Sequence, residues 1–426
     1  MTVELINTGS ELMLGFVLNT HQQWLCRQLA DLGWPVSRQV AVPDTGVAIQ
    51  TAVKESLSRA QLIIVTGGLG PTSDDLTRDL IADLFGRKLH RDTCVFQNIE
   101  EFFTKHGRPM PPNTSVQALV PDGATVLPNA HGTAPGLVLE FDETVVNTDN
   151  AGLLVMLPGP PRELRPMFTN QVVPLLRQEF PRDNAFVCRT FKTTGLGESL
   201  IQDGIAKPLE RLTEAGLEIG YCARVGEVDV RLVASGSGAE QIVAEAEAVV
   251  RSKIGRQIFS DNGDSLEAVV VRLLTERAQT LALAESCTGG HLANRITNVP
   301  GASAMLWASC VTYSNESKQK LLGVRAETLV EHGAVSEPTA REMAEGARRI
   351  SGADYAIAVT GIAGPGGGTN SKPVGTVFIA LAGQTSTRVL KCVNSYDRET
   401  FKFVTSQQAL ELLRRTILSG ANSAEF

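Results

Sequence analysis

One pattern recurs along this chain and narrows its possible folds more than any other: a short apolar run, a glycine-bearing loop, then a segment with helical spacing. It appears as "VELINTG" at 3–9 leading into "NTHQQWLCRQLADLG" at 19–33, and as "LIIVTGGLGPTSDDLTRDLIADLFG" at 62–86. "GLLVMLPGPPREL" at 152–164 and "TLALAESCTGGHLANRIT" at 280–297 repeat it. Asn19 is placed to cap a helix with Leu25, Leu29 and Leu32 on one face, and Gly33 to end it. Apolar runs of this length, each separated from the next by a helix, are the signature of a parallel sheet covered on both faces. The expected class is therefore α/β, built as a doubly wound sheet.

At 426 residues the chain exceeds one ordinary core, and at roughly 150 residues per domain it predicts two or three domains. The rhythm holds to about residue 170. Between 171 and 263 it gives way to the strand-like "FVCRTFKTT", the helical "ESLIQDGIAKPLERL", the alternating "EVDVRLVAS" and the helical "AEQIVAEAEAVVRSKIG". That order reads as a small α+β module. "SDNGDS" at 260–265 reads as a hinge, and the last domain then spans 264–426.

The composition excludes several classes of function. The formal charge is −7, against the basic stripe that a nucleic-acid partner requires. No run approaches the roughly 18 apolar residues of a membrane helix. "MTVELINTGSELMLG" lacks the basic and apolar regions of a signal peptide, so a cytoplasmic protein is expected. Seven scattered cysteines without a Cys-X-X-Cys pair fit neither a disulfide framework nor a thiolate zinc site. Small molecules are the expected ligands and a homodimer the expected assembly.

"AESCTGG" at 284–290 sets two nucleophiles side by side at a strand-to-helix turn, where backbone N–H groups stand ready for an oxyanion. Either Ser286 or Cys287 can attack. Adjacent side chains on an extended segment face opposite ways, so only one can face the site. A serine hydroxyl needs a neighbouring base. His291 lies nearby, Lys318 follows in "VTYSNESKQKLLG" with Tyr313, and Lys372 in "SKPVGTV" is a further candidate. A lysine serves as base when burial lowers its pKa.

"AESCTGG", "VTYSNESK", "GAVSEP", "VTGIAGPGGG" and "KPVGTV" occur in that order, and together they resemble the nicotinamide-nucleotide amidase domain of the competence-damage-inducible CinA family. The resemblance implies hydrolysis of nicotinamide mononucleotide to nicotinic acid mononucleotide and ammonia, without a cofactor. It implies Ser286 as nucleophile, Lys318 and Tyr313 as the activating pair, and the N–H groups of Thr288, Gly289 and Gly290 as oxyanion donors. Substrate phosphate is expected at the glycine loop Thr360, Gly361, Ile362, Ala363 and Gly364. In "SYDRETFKF", Asp397 and Arg398 match a family Gly-Asp-Arg pattern and Arg398 joins the binding set, whereas Tyr396 replaces the glycine and Lys402 a usual arginine.

"TGGLGPTSDDLTRD" at 66–79 is a second strand-loop-helix glycine motif, but no Gly-Lys-Ser/Thr follows and it is no Walker A loop. The amides of Gly67, Gly68 and Gly70, with Thr72, are expected to hold phosphate. Asp74 and Asp75 either cap the following helix or, beside a phosphate, call for a bridging divalent cation. With "NTGSELMLG", "LPNAHGTAPG" and "LPGPPRE", this loop resembles the molybdopterin-binding-like domain of the same family, a three-layer α/β fold over residues 1–170. The resemblance implies metal-dependent hydrolysis of ADP-ribose to AMP and ribose 5-phosphate. An oxygen-rich Mg²⁺, Mn²⁺ or Co²⁺ site is expected, with Asp75, Asp74 or Glu163, and Glu11 as candidate ligands. Val116 stands where relatives often carry a lysine, which leaves a non-catalytic nucleotide- or pterin-binding role, or one in DNA uptake, as alternatives.

Overall fold

The computed structural model describes residues 1–143, 150–181 and 185–419. The last residues of the third expected domain, 420–426, lie outside the described residues. Two compact units form, Met1–Cys188 and Arg189–Phe426.

The first unit is built on a six-stranded sheet, in the order Val36–Val42, Val3–Thr8, Leu62–Thr66, Gly152–Leu157, Gly136–Phe141, Thr125–Leu127. The first four strands run parallel and the last two antiparallel. Alternate residues serve opposite faces. Val3, Leu5, Leu62 and Ile64 pack in one core with Leu25 and Leu29 of the helix Thr20–Asp31, while Ile6, Ile63 and Val65 pack in another with Ile49 and Val53 of the helix Gly46–Leu57. This is the three-layer α/β arrangement that continuous apolar strands require. Asn19 caps the helix Thr20–Asp31 by accepting from the Gln22 N–H, and Gly33, at φ 81°, reverses the chain after it.

The second unit begins with a four-stranded sheet, ordered Glu218–Arg224, Glu227–Ser235, Phe186–Thr194, Ile258–Ser260. In Glu227–Ser235 the buried positions are Val228, Val230, Leu232 and Ala234, the period of a sheet apolar on one face. Helices Glu198–Glu214 and Ala239–Ile254 pack on each other, and the latter also on that strand. The 260–265 segment is a built turn: Ser260 Oγ donates to Asn262 Oδ1 at 2.8 Å, and Ser265 caps the helix Leu266–Glu276.

A five-stranded sheet follows, ordered Leu306–Val311, Leu281–Glu285, Tyr355–Gly361, Thr376–Ala382, Thr387–Val393. Its first three strands are parallel and the last two antiparallel. Leu281–Glu285 comes first in the chain among these strands, with the next two laid on either side of it. The crossover connections diverge there, which is the position, beyond the carboxyl ends of the parallel strands, where open α/β sheets bind their ligands. The final helix, Arg398–Ser419, ties this sheet to the preceding module, because Arg414 donates to the carbonyls of Ile258 and Arg256 at 3.3 and 2.8 Å.

Candidate active site

Every residue of Leu281–Glu285 is buried, and the Ser286 N–H donates to Val359 O at 3.0 Å, carrying the sheet one residue past the strand. Glycines then turn the chain into the helix His291–Thr297, with Gly289 at φ 60° and Gly290 at φ 94°. Ser286 thus stands at the sheet's carboxyl edge, and Cys287 faces the opposite way. The thiol packs in the apolar core with Leu283, Leu292 and Ile357. Burial pushes its pKa up to about 12, so its nucleophilic thiolate is scarce at neutral pH.

Lys318, from the helix Asn315–Leu322, is 1% exposed. Its Nζ lies 3.0 Å from Ser286 Oγ, 2.7 Å from Thr312 O and 3.2 Å from Tyr313 O. No carboxylate pairs with it among the described residues. Desolvation therefore lowers its pKa. Nζ has three oxygen neighbours, which an ammonium could serve with its three N–H groups; the neutral amine that desolvation favours keeps two N–H groups for the carbonyls and turns its lone pair to the serine hydroxyl.

The tyrosine of the expected pair sits differently. Tyr313 meets Lys318 through its backbone carbonyl, and its phenol accepts instead from Arg398 Nη2 at 2.7 Å. Arg398 Nη1 donates to Gly364 O at 2.7 Å. Arg398 therefore links two residues from the expected site, while Asp397 caps the helix through the N–H groups of Glu399 and Thr400. Lys372 lies against the His332 carbonyl, and His291 packs edge-on to Phe403. Neither contacts Ser286.

Two of the three expected oxyanion donors are already committed. Gly289 N–H is taken by Ser286 O at 3.1 Å, and Gly290 N–H by the Glu285 carboxylate at 3.0 Å. The amides of Cys287 and Thr288 meet no carbonyl or carboxylate among the described residues, and both lie within hydrogen-bond reach of the Cys287 sulfur. Thr288 Oγ1 and Thr312 Oγ1 are also buried without a partner, the state expected of polar atoms that await a ligand. Sequence reasoning missed Glu285. Fully buried, it accepts from Gly290, Leu292 and Ala293, at 3.0, 3.1 and 2.8 Å, and so fixes the start of the helix after the serine. A charged residue closing the apolar "TLALAE" was its visible signal.

The glycine loop after Tyr355–Gly361 is partly committed to structure. Thr360 Oγ1 donates to Ala334 O at 2.7 Å, Ile362 N–H to Thr376 O at 2.8 Å, and a Cβ on Gly361 would lie 2.8 Å from Thr376 O. The amides of Ala363 and Gly364 donate to no acceptor among the described residues.

In the first unit, the loop after Leu62–Thr66 presses on its surroundings. A Cβ on Gly67 would lie 2.7 Å from Thr8 O, and one on Gly68 would fall on Thr77 Oγ1. The expected Gly67 N–H is taken by Leu157 O at 3.0 Å, whereas the amides of Gly68, Leu69 and Gly70 donate to no acceptor among the described residues, as a phosphate loop requires. Arg78, 5% exposed beneath this loop, donates from Nη1 to Val116 O at 2.6 Å and leaves Nε unpaired. A cation thus lies directly behind the position where the expected lysine is missing.

The expected metal ligands do not come together. Asp75 accepts from the Thr72 N–H at 2.9 Å and from its hydroxyl, closing a turn. Asp74 is exposed, and a Thr72 side-chain hydrogen bond lowers its pKa. Glu163 accepts from Asn129 Nδ2 at 2.8 Å under the 128–134 loop, and Glu11 curls over Gly9. Among the described residues no three His, Cys, Asp or Glu side chains gather as a cation site. The donor set does not fit the cation, and Asp75 does not cap the helix Thr77–Leu84 either, which carries no side-chain cap: its carboxylate is spent on the Thr72 turn.

These features define a multidomain α/β protein with a glycine-rich strand-to-helix loop on one sheet and a buried serine–lysine pair at the carboxyl edge of another. The profile described as "CinA C-terminal domain" matches residues 263–417, "Probable molybdopterin binding domain" 4–178, and "Damage-inducible protein CinA KH domain" 188–260. A CinA-like protein of Akkermansia muciniphila is 46% identical over 411 residues, spanning 96% of this chain and 95% of that one. A putative competence-damage inducible protein of Symbiobacterium thermophilum is 46% identical over 388 residues, 90% and 89% of the two chains. The chain belongs to the CinA family. A solved CinA-superfamily structure from Klebsiella pneumoniae, 37% identical, covers 36% of this chain and 97% of that one at a TM-score of 0.36. No described helix is long and apolar enough to cross a membrane.

Proposed function

We propose that the last domain is a serine amidohydrolase that releases ammonia from the carboxamide of nicotinamide mononucleotide. The observation that carries this reading is the Lys318 amine, buried without a carboxylate 3.0 Å from Ser286 Oγ. As Ser286 Oγ attacks the amide carbon, its proton passes to Lys318 Nζ, and the amides of Cys287 and Thr288 receive the oxyanion. When the tetrahedral adduct collapses, the C–N bond breaks, and the Lys318 ammonium returns its proton to the departing nitrogen as ammonia. Water then attacks the acyl-serine while Lys318 takes its proton, and the acid leaves as Ser286 regains a hydrogen.

Every group in this cycle belongs to the chain, so ammonia release is expected to persist in EDTA. The test is ammonia release from nicotinamide mononucleotide by the wild type and Ser286→Ala, with EDTA. Absence of ammonia from the wild type would refute the reading.

For the first unit the ungathered carboxylates favour a second reading, a nucleotide- or pterin-binding module that uses the amides of residues 68–70 without turnover. Calorimetry with ADP-ribose should then give heat of binding without AMP. AMP formation in Mg²⁺, Mn²⁺ or Co²⁺ would restore the pyrophosphatase expectation. Residues 188–260 contain no Gly-X-X-Gly, the loop by which KH modules clamp a nucleotide backbone, which disfavours a nucleic-acid role.

A further inference from the structure

Arg398 is a guanidinium held by neutral acceptors alone. Its two hydrogen bonds, 2.7 Å each, go to the Gly364 carbonyl and the Tyr313 phenol, and no carboxylate pairs with it among the described residues. A fork of N–H donors in that state is primed for a doubly charged oxyanion, which it binds far more strongly than a phenol. Both Arg398 and Tyr313 are exposed. Arg398 also reaches the loop whose Ala363 and Gly364 amides stand unused.

Tyr313 is joined to the reacting centre from its other side. Its carbonyl, with that of Thr312, accepts from Lys318 Nζ at 3.2 and 2.7 Å, and these bonds place the amine on Ser286. A single residue thus has its hydroxyl on the arginine and its backbone on the base.

Resting on the amidase reading above, we propose that Tyr313 is a positioning residue that couples phosphate binding to the catalytic lysine. The phosphate monoester of the substrate takes Arg398, Arg398 gives up the Tyr313 phenol, and the freed tyrosine re-seats the carbonyl that orients Lys318. No bond is made or broken in this exchange beyond hydrogen bonds. Its consequence is that preference for a nucleotide over the matching nucleoside is expressed in kcat as well as in KM.

The experiment uses the full chain. Ammonia release is measured on nicotinamide mononucleotide and on nicotinamide riboside, for the wild type, Tyr313→Phe, Arg398→Gln and Arg398→Lys. In parallel, protein labelled with 3-fluorotyrosine is titrated with ribose 5-phosphate, and the Tyr313 resonance, one of four, is assigned through Tyr313→Phe. The Tyr313 signal should move in the wild type and stay fixed in Arg398→Gln. Tyr313→Phe should shrink the nucleotide-to-riboside ratio of kcat about tenfold, the scale of one hydrogen bond to a charged group, with a smaller effect on KM. Arg398→Gln should raise KM for the nucleotide and shrink the same kcat ratio, leaving KM for the riboside unchanged, and Arg398→Lys should restore part of the KM loss. A Tyr313 signal that ignores ribose 5-phosphate, or a Tyr313→Phe loss equal on both substrates, overturns the proposal. A signal that moves in a protein releasing no ammonia from either substrate refutes the amidase reading and leaves the exchange standing.

Discussion

Lys318 Nζ lies 3.0 Å from Ser286 Oγ while also contacting the Thr312 and Tyr313 carbonyls, so the base is positioned by backbone rather than by another charge. Removing either member should stop the chemistry without unfolding the domain. Lys318→Met keeps the apolar stem and deletes the amine. Loss of a base typically costs ~10²–10⁴-fold in rate, and the same range is expected here for ammonia release. A Lys318→Met enzyme with near wild-type turnover would remove the lysine from the mechanism.

The pH dependence follows from burial. Desolvation lowers the Lys318 pKa, and Nζ must be neutral to take the serine proton. Ammonia release, read as kcat/KM, should therefore rise with pH and level off below the ordinary lysine range. Stability has the same sign. Between the lowered folded pKa and the ordinary unfolded one, the unfolded chain holds a proton that the folded chain lacks, so folding strengthens as pH rises through that window. Lys318→Met should flatten this rise in denaturant midpoints, and an unchanged slope would show that the lysine is not desolvated in solution.

Cys287 offers the opposite test. With its pKa near 12 and its sulfur in the core, the thiol should resist alkylation in the native protein and react once denaturant exposes it. Cys287→Ala should keep most of the ammonia release and cost about 1 kcal/mol of stability through the small void it leaves. Loss of activity equal to that of Ser286→Ala would reassign the nucleophile.

Glu285→Ala should cost more than either change to the thiol. It leaves the N–H groups of Gly290, Leu292 and Ala293 without their acceptor, a penalty on the order of 3 kcal/mol for a charge-assisted cluster. Stability and kcat should fall together, because the same carboxylate anchors the turn that carries Ser286. Denaturant unfolding beside ammonia release checks this, and an unaltered midpoint would deny Glu285 that anchoring role.

The sequence was legible where local pattern and burial agree. Leu62–Thr66 and Leu281–Glu285 are short apolar runs between glycine loops, and only a strand covered on both faces accommodates them. Asn19 and Gly33 marked the ends of their helix by capping chemistry, and Leu25 and Leu29 its buried face. What stayed hidden depends on meetings between distant segments. Lys318 and Ser286 are 32 positions apart, and Arg398 and Tyr313 are 85. Spacing could nominate the first pair, but nothing in it could say that the tyrosine hydroxyl faces an arginine. The four carboxylates offered as metal ligands failed for a related reason: Asp75 closes its own turn and Glu163 answers Asn129, local bonds that a count of oxygen donors does not anticipate.

The glycine loop of the first unit carries the last prediction. Gly68 has φ 65°, and a Cβ there would fall on Thr77 Oγ1. Gly68→Ala therefore meets both left-handed backbone strain, about 1–2 kcal/mol, and a clash at the start of the helix Thr77–Leu84. The loop can relieve the clash only by lifting away from Thr77, which moves the free amides of residues 68–70. ADP-ribose binding by calorimetry should weaken at least tenfold, while ammonia release by the last domain should persist, because the residues proposed for that chemistry all belong to the other compact unit. Unchanged ADP-ribose binding in a folded Gly68→Ala protein would place the nucleotide elsewhere.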